Sequence, residues 1–274
     1  MNKGIRERLG IIARLAVSHG ELLEKGRPDG VLVADVGTDH GYLPIILLEG
    51  AMCSRVVMTD LRKGPLSRAA EHMEQAGIDP SLYELRLGSG LEPLERGEAD
   101  TVVMAGMGGE LIRDLLAEDI TKTRSFKRFV FQPRRRAGVL RRFLAENDIY
   151  ITDERVCVEN GHYCQIIAAE CPRPESFERF ECGLDYDYAP MLGSFGFWEG
   201  GAKAPDSPDA EADDLSRDGL EPGVLRGFFE ELMRDLETVR ENILRSTDPE
   251  RDASRLSDTE ARIAYLRRRT EGRQ

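Results

Sequence analysis

The feature that most constrains the fold of this 274-residue chain is a regular alternation of short apolar runs with helix-like segments over residues 31–169. The first run, residues 31–36, is apolar without polar alternation, as expected for a strand buried on both faces of a sheet. Similar runs occupy residues 56–59, 83–87, 101–105 and 129–131. Strand–helix alternation repeated five times predicts an α/β fold with a doubly wound parallel sheet.

The alternation ends in two consecutive strand-like runs, residues 150–158 and 163–169. Asn160 and Gly161 lie between them, and this dipeptide is typical of a tight β-hairpin turn. The hairpin adds an antiparallel strand to the sheet. We therefore expect a Rossmann-like sheet of seven strands whose last strand is antiparallel, an ending that is less usual among dinucleotide-binding folds.

The chain changes character after residue 171. Residues 172–223 are rich in proline and acidic side chains and carry little periodicity, which predicts a linker or insertion. Apolar residues then recur at alternating steps of four and three, which is typical of a coiled-coil seam: Leu225, Phe229, Leu232, Leu236, Val239 and Ile243. We expect a sheet domain at 1–171, the acidic linker at 172–223 and a helical coiled-coil hairpin at 224–270.

Composition limits where the protein acts and what it binds. No apolar stretch is long enough to cross a membrane, and the first ten residues lack the core of a signal peptide. Five cysteines without a C-x-x-C pair are typical of reduced thiols in the cytoplasm, and no metal site is expected. The formal net charge of −12 argues against a phosphate-bearing partner, but most of the acidic excess lies after residue 170. The oligomeric state stays open, and a monomer is compatible with the sequence.

The turn after the first predicted strand contains Asp35, Gly37, Asp39 and Gly41. Glycine suits a strand-to-helix turn where the backbone approaches a ligand closely. Two carboxylates would repel a pyrophosphate, but they suit S-adenosyl-L-methionine, which carries a sulfonium and an ammonium group. The alternative is an ordinary turn glycine followed by an aspartate that caps a helix.

Three later loops follow predicted strands at the same edge of the sheet. Asp60, with Leu61 beside it, ends the second strand, where an acidic side chain accepts hydrogen bonds from ribose hydroxyls. Gly88, Ser89 and Gly90 follow the third strand and would let an adenine lie against the backbone, and Gly106 and Met107 follow the fourth strand. Each of these has a plain structural alternative, namely a helix cap, a turn or a core side chain. Together they predict a nucleoside cofactor.

A basic segment lies beside this predicted cofactor edge. Residues 122–142 contain nine basic side chains and no acidic one, and Arg134, Arg135 and Arg136 follow a predicted strand end. The segment predicts a local phosphate-binding stripe in a net-acidic protein. The alternative is a solvated helix face that forms ion pairs with the acidic part of the chain.

These runs together resemble the bacterial tRNA (adenine(22)-N(1))-methyltransferases. The resemblance covers roughly residues 5–170 and includes Arg8-Leu-Gly10, Asp35-Val-Gly-Thr-Asp-His-Gly-Tyr-Leu-Pro44, Gly64-Pro65, Gly88-Ser-Gly-Leu91, Ala105-Gly-Met-Gly-Gly109, Gln132-Pro133 and the segment from Glu159 to Tyr163. It implies a class I methyltransferase sheet with a helical C-terminal domain that is used for tRNA. The family pattern is expected to carry an aspartate where this chain has Ser89.

The resemblance implies methyl transfer from S-adenosyl-L-methionine to N1 of an adenine in the D-arm of tRNA, at position 22. We expect Asp39 to be catalytic, by accepting a hydrogen bond from the exocyclic amine of the methylated base. His40 and Tyr42 would contact the base or the cofactor, and the three consecutive arginines would hold tRNA phosphates. The alternatives are the same chemistry on a protein or small molecule, a non-catalytic nucleotide-binding or RNA-binding module, and, least favoured, a dehydrogenase.

Overall fold

The computed structural model describes residues 3–18, 30–171, 222–245 and 249–270. The chain divides into two compact units, Met1–Arg179 and Phe180–Gln274. Among the described residues, no helix combines the length and apolar character that a membrane crossing requires.

The first unit contains seven strands and six helices within the described residues. In chain order they are α1 (Lys3–Val17), β1 (Leu32–Val36), α2 (Tyr42–Glu49), β2 (Arg55–Asp60), α3 (Lys63–Gln75), β3 (Tyr83–Leu87), β4 (Thr101–Met107), α4 (Gly109–Ala117), α5 (Ile120–Thr123), β5 (Arg128–Pro133), α6 (Ala137–Glu146), β6 (Tyr150–Glu159) and β7 (His162–Glu170). A 3₁₀ turn, Pro80–Leu82, precedes β3.

The strands form one sheet in the order β3-β2-β1-β4-β5-β7-β6. Strands β1 to β5 are parallel to their neighbours, whereas β7 runs antiparallel to both β5 and β6. Asn160 and Gly161 both have positive φ angles, of 50° and 79°, as a two-residue hairpin turn of the primed type requires. The predicted seven-stranded Rossmann-like sheet with an antiparallel last strand is confirmed.

The central strands are buried for the reason that their sequences predict. All six residues of β5 are buried, and only the first residue of β2 is exposed. Parallel strands covered by helices on both faces need apolar side chains at consecutive positions, not at alternate ones. Because β1 to β4 are parallel, their carboxyl ends meet at one edge of the sheet. Binding sites form at this edge in open α/β folds.

The first helix, α1, is an element that the sequence reading did not predict. Its apolar residues Leu9, Ile12, Ala13 and Ala16 follow helical spacing, and all four are buried in the core beside the sheet. The carbonyl of Ala16 accepts a hydrogen bond from the Thr101 hydroxyl at 2.7 Å. Helical periodicity within residues 3–17 was therefore the signal that could have revealed it.

The second unit contains two helices, α7 (Pro222–Leu244) and α8 (Pro249–Thr270), that pack against each other. The helical C-terminal region is confirmed. Leu225, Phe229 and Ile243 of the predicted seam are buried, whereas Val239 is 41 % exposed. Almost all of the predicted linker at 172–223 lies outside the described residues, so the proposed domain boundaries stay predictions.

Candidate active site

A cavity of about 800 Å³ opens at the carboxyl edge of the sheet. Its lining includes residues from the loops that follow β1, β2 and β3, the end of β4, helices α1 and α4, and the turn between β6 and β7. The volume lies in the range typical of small-molecule and cofactor sites. Most of the predicted site residues line it: Asp35, Gly37, Asp39, His40, Tyr42, Asp60, Leu61, Gly88, Ser89, Gly90, Gly106, Met107 and Arg134.

The loop after β1 bends at Gly37, which has a φ angle of 78°. The N–H groups of Gly37 and Thr38 both donate to the carbonyl of Thr59, at 2.8 and 3.1 Å, so the loop is tied to the end of β2. A Cβ atom on Gly37 would lie 2.1 Å from Cε of Met107. The positive backbone angle favours glycine here, whereas the methyl group of Met107 ends a flexible side chain that could move aside.

Gly41 is closely packed at the start of α2. It precedes α2 with a φ angle of 69°, and a Cβ atom there would lie 3.2 Å from Cβ of Ala69 in α3. Gly41 does not line the cavity. Its position thus allows α2 to begin close to α3, and the predicted contact of Gly41 with the cofactor stays a prediction.

Two buried carboxyl groups, Asp35 and Asp60, form an acidic part of the cavity wall. Asp35 is 5 % exposed and Asp60 is 8 % exposed. Burial raises the pKa of Asp35 to about 6, with the nearby Asp60 carboxylate adding to the rise and Thr38 partly opposing it. Asp60 Oδ1 accepts the Arg62 backbone N–H at 2.9 Å. A cationic ligand group in this part of the cavity would stabilise both charges.

Asp39 lies at the mouth of the cavity in a left-handed backbone conformation, with φ of 46°. Its Oδ1 accepts a hydrogen bond from Nη2 of Arg68 at 2.7 Å, and its Oδ2 lies 3.4 Å from Nε2 of His40. The side chain of Asp39 is about half exposed. Arg68, which had no place in the predicted site, therefore orients this carboxylate and balances its charge.

Three rings form an aromatic cluster beside Asp39. The rings of His40, Tyr42 and His72 lie near-parallel to one another, with centroids 5.2–5.8 Å apart. Nδ1 of His72 lies 2.8 Å from the carbonyl oxygen of His40. A carbonyl only accepts, so Nδ1 of His72 carries the proton. His40 and Tyr42 were predicted to face the ligand, whereas His72 was not identified from the sequence.

The loop after β3 lines the cavity largely with backbone atoms, because two of its three lining residues are glycines. Gly90 has a φ angle of 50°, and a Cβ atom there would lie 2.9 Å from Cδ2 of Leu115. Leu61 and Leu111, both on the cavity lining, are 69 % and 50 % exposed. Exposed leucines beside a backbone loop are suited to the faces of a flat heterocycle. Ser89 donates its backbone N–H to the Glu92 carboxylate at 3.3 Å.

The glycines after β4 lie against the three consecutive arginines. A Cβ atom on Gly109 would lie 2.4 Å from the carbonyl oxygen of Arg136, so only glycine allows this approach. The Gly109 N–H donates to the Arg135 carbonyl at 2.8 Å. Arg134, Arg135 and Arg136 are all exposed. Arg134 lines the cavity, while the other two arginines lie beyond its lining.

The predicted basic stripe at 122–142 is smaller than its sequence indicates. Arg141 is fully buried, and its Nε donates to Oε1 of Glu154 at 2.8 Å. Arg128 is 3 % exposed and donates to the carbonyl of Leu15 at 2.8 Å. The expectation that all nine basic residues form a phosphate-binding surface is wrong for these two, because ion pairing and hydrogen bonding hold them inside the protein.

Two parts of the cavity wall were not predicted as site residues, although most of their residues lie in runs that carry the family resemblance. Ile5, Arg8 and Leu9 of α1 line it, and so do Glu159 and Asn160 of the β6–β7 turn. Nε of Arg8 donates to Oε2 of Glu159 at 3.0 Å. Within the described ranges, no group of three or more histidine, cysteine or acidic side chains could hold a metal ion.

The chain is similar to known methyltransferases. The family model of a methyltransferase domain matches residues 22–167. A curated Bacillus subtilis protein named tRNA (adenine(22)-N(1))-methyltransferase is 33 % identical over 143 residues, which are 52 % of this chain and 60 % of that protein. The chain thus spans about three fifths of the length of the curated relatives it matches.

Solved structures share the fold along nearly the whole chain. The crystal structure of the B. subtilis m1A22 tRNA methyltransferase TrmK is 24 % identical with a TM-score of 0.71, covering 96 % of this chain and 97 % of that one. A Streptococcus pneumoniae protein in complex with S-adenosyl-L-methionine is 22 % identical with a TM-score of 0.70, covering 96 % and 98 %. With the family model matching more than half of its residues, this chain belongs to the methyltransferase domain family.

Proposed function

We propose that the protein transfers a methyl group from S-adenosyl-L-methionine to N1 of an adenine in the D-arm of tRNA, at position 22. The observation that carries this proposal is the convergence of the β1 loop, Asp60 and Gly106 of β4 on one cavity of about 800 Å³. The name of the B. subtilis relative supports the choice of substrate. The fold by itself would support many substrates.

The residues of the cavity fit this cofactor. Gly37 provides a bend without a side chain, and Asp60 lies at the end of β2, where an acidic side chain binds ribose hydroxyls. Leu61 and Leu111 offer apolar surface to an adenine ring. Asp35 provides buried negative charge toward cationic groups. When bound, S-adenosyl-L-methionine supplies a methyl carbon that its sulfonium makes electrophilic.

The target nitrogen requires little activation. N1 of neutral adenine carries a lone pair and no proton, so the reaction needs orientation and exclusion of water more than a general base. The base must leave its stack to enter the cavity. His40 and Tyr42, beside the cavity mouth, are placed to contact it.

Methylation at N1 makes the adenine cationic, and Asp39 is the residue we assign to this charge. Its carboxylate accepts a hydrogen bond from the exocyclic amine, which strengthens as positive charge develops on the ring. Arg68 holds the carboxylate in place from the other side. Arg134, Arg135 and Arg136 bind phosphates of the tRNA, as exposed guanidinium groups beside the cavity edge.

The test is to incubate the protein with methyl-labelled S-adenosyl-L-methionine and unmodified bacterial tRNA, and to map the modified nucleoside by nuclease digestion and mass spectrometry. We expect 1-methyladenosine at position 22 and no labelling of tRNA that carries guanosine there. Absence of transfer to any tRNA, or labelling of another nucleoside, would contradict the proposal.

The role of Asp39 is tested with Asp39→Asn, which keeps the shape and removes the charge. We expect turnover to fall by about 100-fold. Asp114→Asn is the matched control, since Asp114 is 59 % exposed and paired with Arg113, much as Asp39 is 53 % exposed and paired with Arg68. Equal turnover in the two variants would remove Asp39 from the mechanism.

A further inference from the structure

A β-bulge interrupts β4 at the cavity. Ala105 pairs with Gln132 and Met107 with Pro133, so the register shifts and Gly106 has no residue opposite it on β5. Gly106 has a φ angle of 78°, and its N–H donates to the side-chain Oε1 of Gln132 at 3.1 Å. Bulges are enriched beside active sites, where they redirect the chain. The side chain of Gln132 thus accepts the hydrogen bond of the bulged residue.

The same oxygen of Gln132 has a second donor. Nη1 of Arg8, from α1, donates to it at 3.3 Å. A backbone N–H and a guanidinium both only donate, so the amide must present its oxygen to them and not its NH₂ group. Gln132 is 3 % exposed, and solvent therefore has little access to replace this acceptor.

Arg8 extends the connection across the cavity. Its Nε donates to the carboxylate of Glu159, the last residue of β6, while its Nη1 donates to Gln132. Arg8, Gly106 and Glu159 all line the cavity, whereas Gln132 lies behind the wall. One buried amide oxygen is thus shared by two separate parts of the cavity wall.

The bulge also determines where Met107 lies. Cε of Met107 is 2.1 Å from the place that a Cβ atom of Gly37 would occupy, so Met107 packs directly on the β1 loop. A change in the backbone at Gly106 would move this contact and the space above Gly37.

We infer that Gln132 is a positioning residue for the proposed methyl transfer, because its amide oxygen fixes the Gly106 bulge and the Arg8 guanidinium in the geometry that receives the cofactor. The inference rests on the proposed function, and Gln132 itself touches neither cofactor nor substrate. Removing the acceptor leaves two donors unsatisfied and lets both parts of the wall relax.

The test compares Gln132→Met, which has similar length but no strong acceptor, with Gln132→Glu, which keeps an acceptor oxygen opposite Arg8. The readout is the dissociation constant of S-adenosyl-L-homocysteine by titration calorimetry, with kcat and KM measured on tRNA. We expect the methionine variant to bind at least tenfold more weakly with a raised cofactor KM. The glutamate variant should stay within about threefold of the wild type.

Gln165→Met is the matched control. Gln165 also accepts a hydrogen bond from an arginine, Nη2 of Arg141 at 2.6 Å, but this donor does not line the cavity, unlike Arg8 and Gly106. We expect this variant to lower the melting temperature without changing the dissociation constant. Loss of affinity in Gln165→Met equal to that in Gln132→Met would show a general stability effect and overturn the inference.

Arg8→Met provides a second measurement should Gln132→Met not fold. It removes one donor from the shared oxygen and should weaken binding by about threefold to tenfold. If Gln132→Met folds and binds with wild-type affinity, the inference is overturned. If Gln132→Met does not fold, wild-type affinity in Arg8→Met overturns it. Either result leaves the proposed function standing. A wild-type protein that binds no S-adenosyl-L-homocysteine would instead defeat the proposed function, and the inference with it.

Discussion

Charged side chains are buried in two regions of the first unit, namely between α6 and the β6–β7 hairpin, and at the cavity edge of the sheet. The two regions differ in whether the buried charge has a partner of opposite sign. Between α6 and the hairpin, Arg141 and Glu154 are each at most 1 % exposed and neutralise each other at 2.8 Å. At the cavity edge, Asp35 is buried close to Asp60, a group of the same sign, and its pKa rises to about 6.

This difference separates a structural use of charge from a functional one. A buried pair of opposite sign satisfies itself, so it adds specificity to packing and offers nothing to a ligand. A buried carboxyl next to another carboxyl is destabilised until a cation arrives. A cationic ligand that binds at the cavity edge would therefore be stabilised by these two carboxyl groups.

Breaking the structural pair should give the largest effect. We expect Arg141→Met to lower the free energy of unfolding by about 3–5 kcal/mol, because it leaves Glu154 buried without its partner. Urea denaturation followed by circular dichroism measures it. Arg136→Met, at an exposed position, is the control and should change stability by less than about 0.5 kcal/mol. A loss below about 1 kcal/mol in Arg141→Met would mean that the pair does not hold this interior together.

Neutralising the functional carboxyl should act in the opposite direction. A carboxyl whose folded pKa is about 6, above its ordinary value of 3.8, costs stability above pH 6, and this cost disappears below about pH 4. Asp35→Asn should therefore raise the free energy of unfolding at pH 8 by at most about 3 kcal/mol. This gain in stability should vanish on acidification. At pH 8 the same variant should bind the cationic cofactor more weakly than the wild type. A variant that is less stable than the wild type at pH 8 would contradict this reading of the acidic wall.

Removing exposed charge should change binding without changing stability. We expect Arg134→Gln, Arg135→Gln and Arg136→Gln combined to weaken tRNA binding at least tenfold at moderate salt, and to reduce the salt dependence of log K by about 2–3. Filter binding at several salt concentrations measures both. The control replaces Arg55, Arg96 and Arg113, whose side chains are at least 38 % exposed and pair with acidic residues outside the basic segment. An equal loss in the control would show that net charge, and not this location, determines binding.

The smallest expected effect concerns Ser89, where the family that the sequence resembles is expected to carry an aspartate. Ser89→Asp should strengthen binding of S-adenosyl-L-homocysteine by about threefold to tenfold, since a carboxylate there would accept a hydrogen bond from the adenine amine. Ser67→Asp adds the same charge at an exposed position on α3 that does not line the cavity. Unchanged affinity in Ser89→Asp would place the adenine away from this loop.

The predictable parts of the molecule are those whose structure is determined by residues close together in the sequence. The β1 strand and the glycine loop after it are recognisable because consecutive apolar residues and turn glycines act within a few positions of the chain. Arg141 and Arg134 are the same residue type in one basic segment, and only tertiary partners separate the buried one from the exposed one. Arg68 beside Asp39 was invisible for the same reason, because 29 residues separate them.

The position of α1 has a consequence for synthesis. Arg8 finds its partner Glu159 only 151 residues later, and Leu15 meets Arg128 after 113 residues. On the ribosome, α1 emerges before the strands β4 to β7 against which it packs. A growing chain that has not yet exposed the end of β6 therefore lacks Glu159 and Asn160 from the lining of the cavity. One wall of the cavity thus depends on contacts between segments that are more than 100 residues apart in the chain.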